Sequence, residues 1–281
     1  MHRPIFSCVI PVKGERPFFK EALASLEAQG IEDDLEIIVQ DGDVGSGGVE
    51  ELGVGELRSL QWHREADAGQ SDALNKGFAK AKGEWLFWLN ADDILLSGAL
   101  KKVRQLIARS SRLTTLNWIA GNQLLIDDAG KVLKCSVGNG WHDWLYRHAV
   151  PHVYGPSSFF RHELFERTGG LDVSLKYCMD WDLWIKFMKA GARFVRMPDY
   201  LWAQRQWAGS KTQRNVPEDE LALQWSEVNA MLRRNGLDAT RGGMVKMRLW
   251  RILNGNVLRQ YVDGRRFGGM TVDKITDEGL T

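Results

Sequence analysis

Asn90-Ala91-Asp92-Asp93 sets two neighbouring carboxylates directly behind the apolar run from Trp85 to Leu89. Hard oxygen ligands at the end of a buried strand can hold Mg²⁺ or Mn²⁺ against a diphosphate, and a cation there offsets the charge that builds on a leaving phosphate. The same residues can equally cap the helix that begins near Gly98, because an Asp ahead of a first turn satisfies free N–H groups. A second acidic candidate, Asp180, stands in Tyr177-Cys178-Met179-Asp180-Trp181-Asp182-Leu183-Trp184. It precedes a stretch readable as a helix from Trp181 to Ala190, whose N-terminal dipole favours a carboxylate there. Asp182 falls two residues on, points roughly to the opposite side of that helix, and is read as structural or as a support behind the residues that touch substrate.

Groups of this kind work together only if the elements carrying them end at one edge. Ile5 to Ile10, Glu36 to Gln40, Arg58 to His63 and Trp85 to Leu89 read as short strands, with helices at Phe18 to Gln29 and about Gln70 to Lys82. That alternation is the pattern of an α/β unit with a largely parallel sheet. Asp41, Asp67 and the Asp92-Asp93 pair then fall at or just past three successive strand ends, and ligands of open α/β sheets bind in the crevice beyond such ends.

A helix at Ala99 to Ser110 follows. Asn122 to Ile126 and Val132 to Cys135 flank Asp127-Asp128-Ala129-Gly130 as a β-hairpin. After Pro217 the pattern turns helical, with Glu218 to Asn235 stopped by Gly236 and a last helix over Met244 to Val262. Lys246, Arg248, Arg251 and Arg259 lie among apolar residues of that last helix. They could rest on an anionic membrane surface, or face solvent from a helix packed on the core.

Composition narrows the partners. With 37 Lys and Arg against 36 Asp and Glu, the chain carries no global field that would call for nucleic acid. Three Cys lie far apart without CxxC spacing, which argues against a disulfide framework or a zinc site and fits a cytoplasmic protein. No stretch reads as a signal peptide or a membrane span. Gly45-Ser46-Gly47-Gly48-Val49-Glu50 lacks the third glycine of a dinucleotide fingerprint, which removes a dehydrogenase. Twelve Trp could include rings that stack on sugars, Trp181, Trp184 and Trp202 among them, although core packing is the commoner use.

Several segments together resemble the family 2 glycosyltransferases over roughly Phe6 to Thr212. Ser7-Cys8-Val9-Ile10-Pro11-Val12 is similar to the family's opening strand, and Glu36-Ile37-Ile38-Val39-Gln40-Asp41-Gly42 to its second. Asp67-Ala68-Gly69-Gln70-Ser71-Asp72-Ala73-Leu74-Asn75-Lys76-Gly77 is similar to the segment that faces the nucleotide. Gly155-Pro156-Ser157-Ser158-Phe159-Phe160-Arg161, Gly169-Gly170-Leu171-Asp172 and the Asp180 segment resemble the acceptor half of bacterial polysaccharide-building members, including the colanic-acid type.

The resemblance implies an α/β protein of the GT-A nucleotide-diphospho-sugar transferase fold, with a mostly parallel central sheet flanked by helices. Residues 1–212 would form the catalytic domain (1–115 the nucleotide-sugar half, 116–212 the acceptor half) and 213–281 a helical extension. It implies an inverting transfer from a nucleotide-diphosphate sugar, a UDP-sugar favoured, to a hydroxyl of a glycan or lipid-linked glycan, assisted by Mn²⁺ or Mg²⁺. Asp92 is implied at the metal and Asp180 as general base. Nucleotide contacts are implied for Pro11, Val12, Lys13, Glu15, Asp41, Asp67, Gly69, Asn75, Lys76, Asn90, Ala91 and Arg205.

The chain departs from the family pattern at three places. Asn90 replaces the first carboxylate of Asp-x-Asp, Met179 the Glu before the base, and Trp207 the His of Arg-x-His. These departures keep open an alternative, a GT-A-fold protein that binds sugar nucleotide or carbohydrate without turnover.

Overall fold

The computed structural model describes residues 3–14, 17–44, 59–110, 116–140, 146, 152–210, 217–238 and 240–275. Glu15, the glycine run 45–50 and the domain boundaries expected at 115/116 and 212/213 lie outside the described residues.

Four strands form the parallel half of the sheet: β1 (Phe6–Val12), β2 (Leu35–Asp41), β3 (Leu60–Arg64) and β4 (Trp85–Trp88). They pair in the order β3-β2-β1-β4, so all four carboxyl ends emerge at one edge. Their residues are apolar on both faces because helices cover both. In β1, Val9 enters one core with Ile38 of β2 and Trp88 of β4, while Cys8 and Ile10 enter the opposite one with Ile37 and Phe87. The first core is closed by α2 (Gln70–Phe78), the second by α1 (Phe19–Glu27) and α3 (Ala99–Ser110).

The sheet continues through β8 (Ser158–Arg161), β6 (Trp118–Ile126), β9 (Phe194–Arg205) and the two-residue β5 (Ile94–Leu95), with β7 (Val132–Ser136) beside β6. Among the described residues, both expected halves thus share one nine-stranded mixed sheet. β6 and β7 make the expected hairpin, its turn closed by Lys131 N–H donating to Asp127 Oδ1 at 2.8 Å and by Gly130 at φ +75°. A bulge where β6 meets β9 falls at Gly121, where a Cβ would lie 2.9 Å from the Asp199 carbonyl.

Two helices differ from expectation. α2 ends at Phe78 rather than near Lys82, because the chain turns there and Lys82 N–H donates to the buried Glu36 Oε2 at 2.8 Å. The single last helix expected over Met244 to Val262 is two, α7 (Arg241–Leu253) and α8 (Asn256–Phe267), divided at Gly255 with φ +72°. Apolar periodicity runs through the break, which is why the pattern alone joins them. Remaining helices are α4 (His162–Arg167), α5 (Met179–Lys189) and α6 (Glu218–Arg234).

α6 buries Met231 and Leu232 against α5 and adds polar ties. Arg234 and Asn235 donate to the buried Asp182 Oδ1 at 3.1 and 3.4 Å, tying the end of α6 to α5. Glu227 accepts the backbone N–H groups of Lys176, Tyr177 and Cys178 at 2.9, 2.7 and 3.0 Å. Partial burial pushes the Glu227 carboxyl up, but the three N–H donors and the Cys178 thiol outweigh it and hold the group below the usual glutamate range. Its bonds therefore stabilise the fold fully above the unfolded pKa near 4.3, and that contribution is lost as pH falls through the lower folded value. Glu227→Gln should cost about 2 kcal/mol at neutral pH, with the gap in thermal midpoint from wild type closing as the pH is lowered toward about 3. A gap that stays constant from pH 7 to 3 would contradict this account.

Candidate active site

Beyond the carboxyl edge lies a cavity of about 1120 Å³. Its floor is the turn after β4, its near wall the β1 end and the segment before α2, and its far wall the start of α5 and the end of β9. Asp92 and Asp180, 88 positions apart in sequence by subtraction of their numbers, both line it. So do Pro11, Val12, Lys13, Asp67, Gly69, Asn90, Ala91 and Arg205.

Asp92 Oδ2 accepts the Trp207 indole N–H at 2.8 Å, and Trp207 itself packs edge-on against Phe18. Oδ1 accepts no hydrogen bond among the described residues. Asp93 behaves differently. It is buried, taking Arg205 N–H on Oδ1 at 2.9 Å and the Asn90 amide on Oδ2 at 2.6 Å. Burial, then the Asp92 charge, pushes its carboxyl well above the usual range, so Asp93 belongs to the scaffold of the turn. Asn90 in turn accepts from Gln70 Nε2 at 2.9 Å.

The donor set for a divalent cation is therefore a single carboxylate, and no cluster of three or more His, Cys, Asp or Glu suited to a metal occurs among the described residues. That fits Mg²⁺ or Mn²⁺, which bind through one or two carboxylates with substrate phosphates and water completing the shell.

Asp67 is nearly buried; its Oδ1 accepts Gly69 N–H at 2.9 Å and faces Lys13 Nζ at 3.5 Å. A Cβ on Gly42 would overlap the Asp67 carboxylate, so the position directly after β2 must stay bare. Gly69 has φ +125°, a conformation that favours glycine, and from it α2 starts at the cavity edge.

Three expected contact residues are not brought to the cavity. Asp41 is fully buried, accepting Asp43 N–H at 3.0 Å with Arg64 Nε 3.6 Å away. Asn75 holds the backbone of Leu171 through both ends of its amide, at 2.9 and 3.0 Å. Lys76 pairs with Asp72 at 3.0 Å and donates to the Ala66 carbonyl at 2.7 Å.

Arg205 reaches the lining, but its guanidinium is turned into the protein. Nε donates to the Asp92 carbonyl at 3.1 Å, Nη1 to the Asp128 carbonyl at 2.7 Å, and Nη2 to Glu21 Oε2 at 2.5 Å, with the Phe18 ring 4.2 Å away. Its donors fix the acidic turn rather than point at a diphosphate. Among the Trp residues, Trp184 is buried in a stack between Trp118 and Trp88, at 5.0 and 6.0 Å, and Trp181 is buried too. Trp88 and Trp202 reach the cavity wall; Trp88, Gln70 and Tyr177 are lining residues to which sequence reasoning assigned no role, and Trp207, noted there as a departure from the family pattern, lines the cavity too.

This fold, a mixed sheet between helices with acidic turns at its carboxyl edge, is that of the GT-A glycosyltransferases. The chain belongs to the family described as Glycosyl transferase family 2, whose profile matches residues 7–168. An "Uncharacterized glycosyltransferase" of Rickettsia felis is 26% identical over 192 residues, 66% of this chain and 32% of that protein. A "PGL/p-HBAD biosynthesis glycosyltransferase" of Mycobacterium tuberculosis is 26% identical over 210 residues, 70% of this chain and 74% of that protein. Against the five rickettsial relatives the chain spans 28% to 61% of their length. Among solved structures, S. aureus TarS 1–349 in complex with UDP-GlcNAc has a TM-score of 0.57 at 17% identity, over 80% of this chain and 65% of that one. The mannosyltransferase PcManGT from Pyrobaculum calidifontis, in complex with GDP-Man and Mn²⁺, has a TM-score of 0.53 at 21% identity, over 72% of this chain and 57% of that one.

Arg205→Ala should destabilise the chain by about 2–4 kcal/mol, because it removes a buried side chain with four hydrogen-bond partners and leaves three carbonyls unanswered, while the half-exposed Glu21 returns to water. Arg205→Lys should recover less than half of that, since an ammonium cannot span the same fork. Chemical denaturation measures both, and a loss under about 1 kcal/mol for the alanine variant would refute the hub role.

Proposed function

We propose that the chain transfers a sugar from a nucleotide diphosphate, a UDP-sugar in the first instance, to a hydroxyl of a glycan or lipid-linked glycan, with inversion at the anomeric carbon. The observation that carries this reading is the opening of the Asp92 turn and the first turn of α5 into one cavity. Lys13, Asp67 and Gly69 form the side toward a nucleotide, and Asp180 the side toward an acceptor.

A divalent cation held by Asp92 would supply charge compensation for the diphosphate as it departs. Asp180 accepts the proton of the acceptor hydroxyl while that oxygen bonds to the anomeric carbon. The bond from that carbon to the diphosphate oxygen breaks, and the electron pair leaves with the nucleotide. Arg205 and Asn90 hold the acidic turn still during these changes, and Trp207 fixes one oxygen of Asp92. The neighbour bound to UDP-GlcNAc and the one bound to GDP-Man and Mn²⁺ are consistent with such a donor and cation. The alternative, a binding protein without turnover, rests on the substitutions at Asn90, Met179 and Trp207.

Asp180→Asn should abolish transfer, and hydrolysis of the donor in the absence of acceptor, by at least about a hundredfold while Mn²⁺-dependent binding of the nucleotide persists. Screening UDP-, GDP- and dTDP-sugars for release of nucleoside diphosphate measures this. Wild-type rates in the variant remove Asp180 from the mechanism, and binding without any release by the wild-type chain favours the alternative.

A membrane-facing role for the last helices belongs to the same reading. No helix among the described residues is long and apolar enough to cross a membrane. Yet Val245, Leu249, Ile252 and Leu253 form an exposed stripe on α7, continued by Val257, Leu258, Tyr261 and Val262 on α8. Between Arg241 and Phe267 the one acidic residue is Asp263, in a chain whose net charge is only +1. A cytoplasmic protein resting on anionic lipid, near a lipid-linked acceptor, accounts for both features. The chain should sediment with phosphatidylglycerol-containing vesicles and not with neutral phosphatidylcholine ones, and the double variant Leu253→Glu, Leu258→Glu should stay in solution; equal recovery with both vesicle types would count against it.

A further inference from the structure

We propose that Glu227, on α6 and outside the span matched by the family profile, is a positioning residue for Asp180. The inference rests on the reading of Asp180 as the base and adds a part that the acidic motifs do not contain.

Three consecutive peptide N–H groups, those of Lys176, Tyr177 and Cys178, converge on the one carboxylate, two on Oε1 and one on Oε2; the Cys178 thiol also lies 3.3 Å from Oε1. Successive N–H groups of this kind form a concave anion seat, filled here from within the chain by a residue about fifty positions later. The seat directly precedes α5: Cys178 is the N-cap and Asp180 lies in the first turn, its Oδ1 taking the Trp181 N–H at 2.8 Å. The position of the Asp180 Cα therefore follows from where Glu227 holds the chain two residues earlier.

The same face of α6 meets the cavity. Leu221 and Gln224 line it alongside Lys176 and Tyr177, and the Tyr177 hydroxyl donates to Glu220 Oε1 at 3.3 Å. At its other end α6 grips α5 again, through Arg234 on Asp182. Docking of α6 is already secured by Met231 and Leu232 in the core, so the three-fold bond at Glu227 is not needed to attach the helix. What it adds is direction, restraining three peptides next to the base. Since misplacing a reacting group by about 1 Å can cost a hundredfold in rate, a restraint here bears on turnover.

The test compares Glu227→Ala, Glu227→Gln and Asp180→Asn with wild type in metal-dependent hydrolysis of the best donor from the sugar-nucleotide panel, water standing in the acceptor's place. Hydrogen exchange of the 176–178 amides is followed in parallel. Glu227→Ala should speed exchange of those amides and lower kcat about ten- to a hundredfold, while the donor KM stays within about twofold of wild type. Glu227→Gln, which keeps one acceptor oxygen and the shape, should fall between. Wild-type kcat in a folded variant with loosened amides overturns the proposal, as does unchanged exchange, or a kcat that merely tracks the folded fraction. If Asp180→Asn hydrolyses donor normally, it is the base assignment that fails, and the two failures are told apart.

Discussion

The site depends on a buried guanidinium. Arg205 sits at the end of β9 and reaches three elements that are far apart in sequence: the turn at Asp92, the hairpin turn at Asp127–Asp128, and Glu21 on α1. Its own backbone N–H closes the set by donating to Asp93. Taking such a charge out of water is costly, and the cost is met only when every donor finds a partner. The Glu21 side chain remains half exposed, which lets the pair form without a second fully desolvated charge. Because the partners are mostly carbonyls, the arrangement reads out backbone position, and the Asp92 turn cannot shift without breaking it.

Within that turn the side chains form a directed chain of donors: Gln70 to Asn90, Asn90 to Asp93. An amide at position 90 can accept at one end and donate at the other. A carboxylate there would remove the donor that Asp93 Oδ2 accepts and would add a further negative charge beside Asp92. The departure at Asn90 thus has a local reason that a motif comparison cannot supply, and Trp207 has one too, as the donor that holds Asp92 Oδ2.

The parallel half of the sheet was legible because its strands are short apolar runs with helices between them, and the acidic residues at their ends could be located to the residue. The other half was less so. β9 runs twelve residues but carries Arg196, Pro198 and Asp199, which break the alternation, and β5 has two residues only. Asp41 and Arg205 read as ligands on motif position, yet burial and partners, which no spacing encodes, turn both inward. Asn75 and Lys76 lie in the most motif-like segment and still serve the fold, because a helix has several faces and only the side bearing Gln70 and Ala73 meets the cavity. Glu227 was invisible for a similar reason: an acid in the middle of an amphipathic helix looks like a solvated one until the loop it holds is seen.

A one-carboxylate donor set has a thermodynamic consequence for the reading proposed above. A cation held by Asp92 alone, with one oxygen of that group engaged by an indole N–H, would keep most of its water and bind the free chain weakly. A diphosphate would then supply oxygens that the chain does not, and cation and nucleotide would each raise the other's affinity by the same factor. Asp93 cannot relieve this dependence, because its burial favours the neutral form and both oxygens already accept hydrogen bonds. Coupling of this kind would tie the charge of the cation to the moment when the leaving group is present, and would let a rigid turn do with one ligand what a cluster of acids would do at the cost of mutual repulsion.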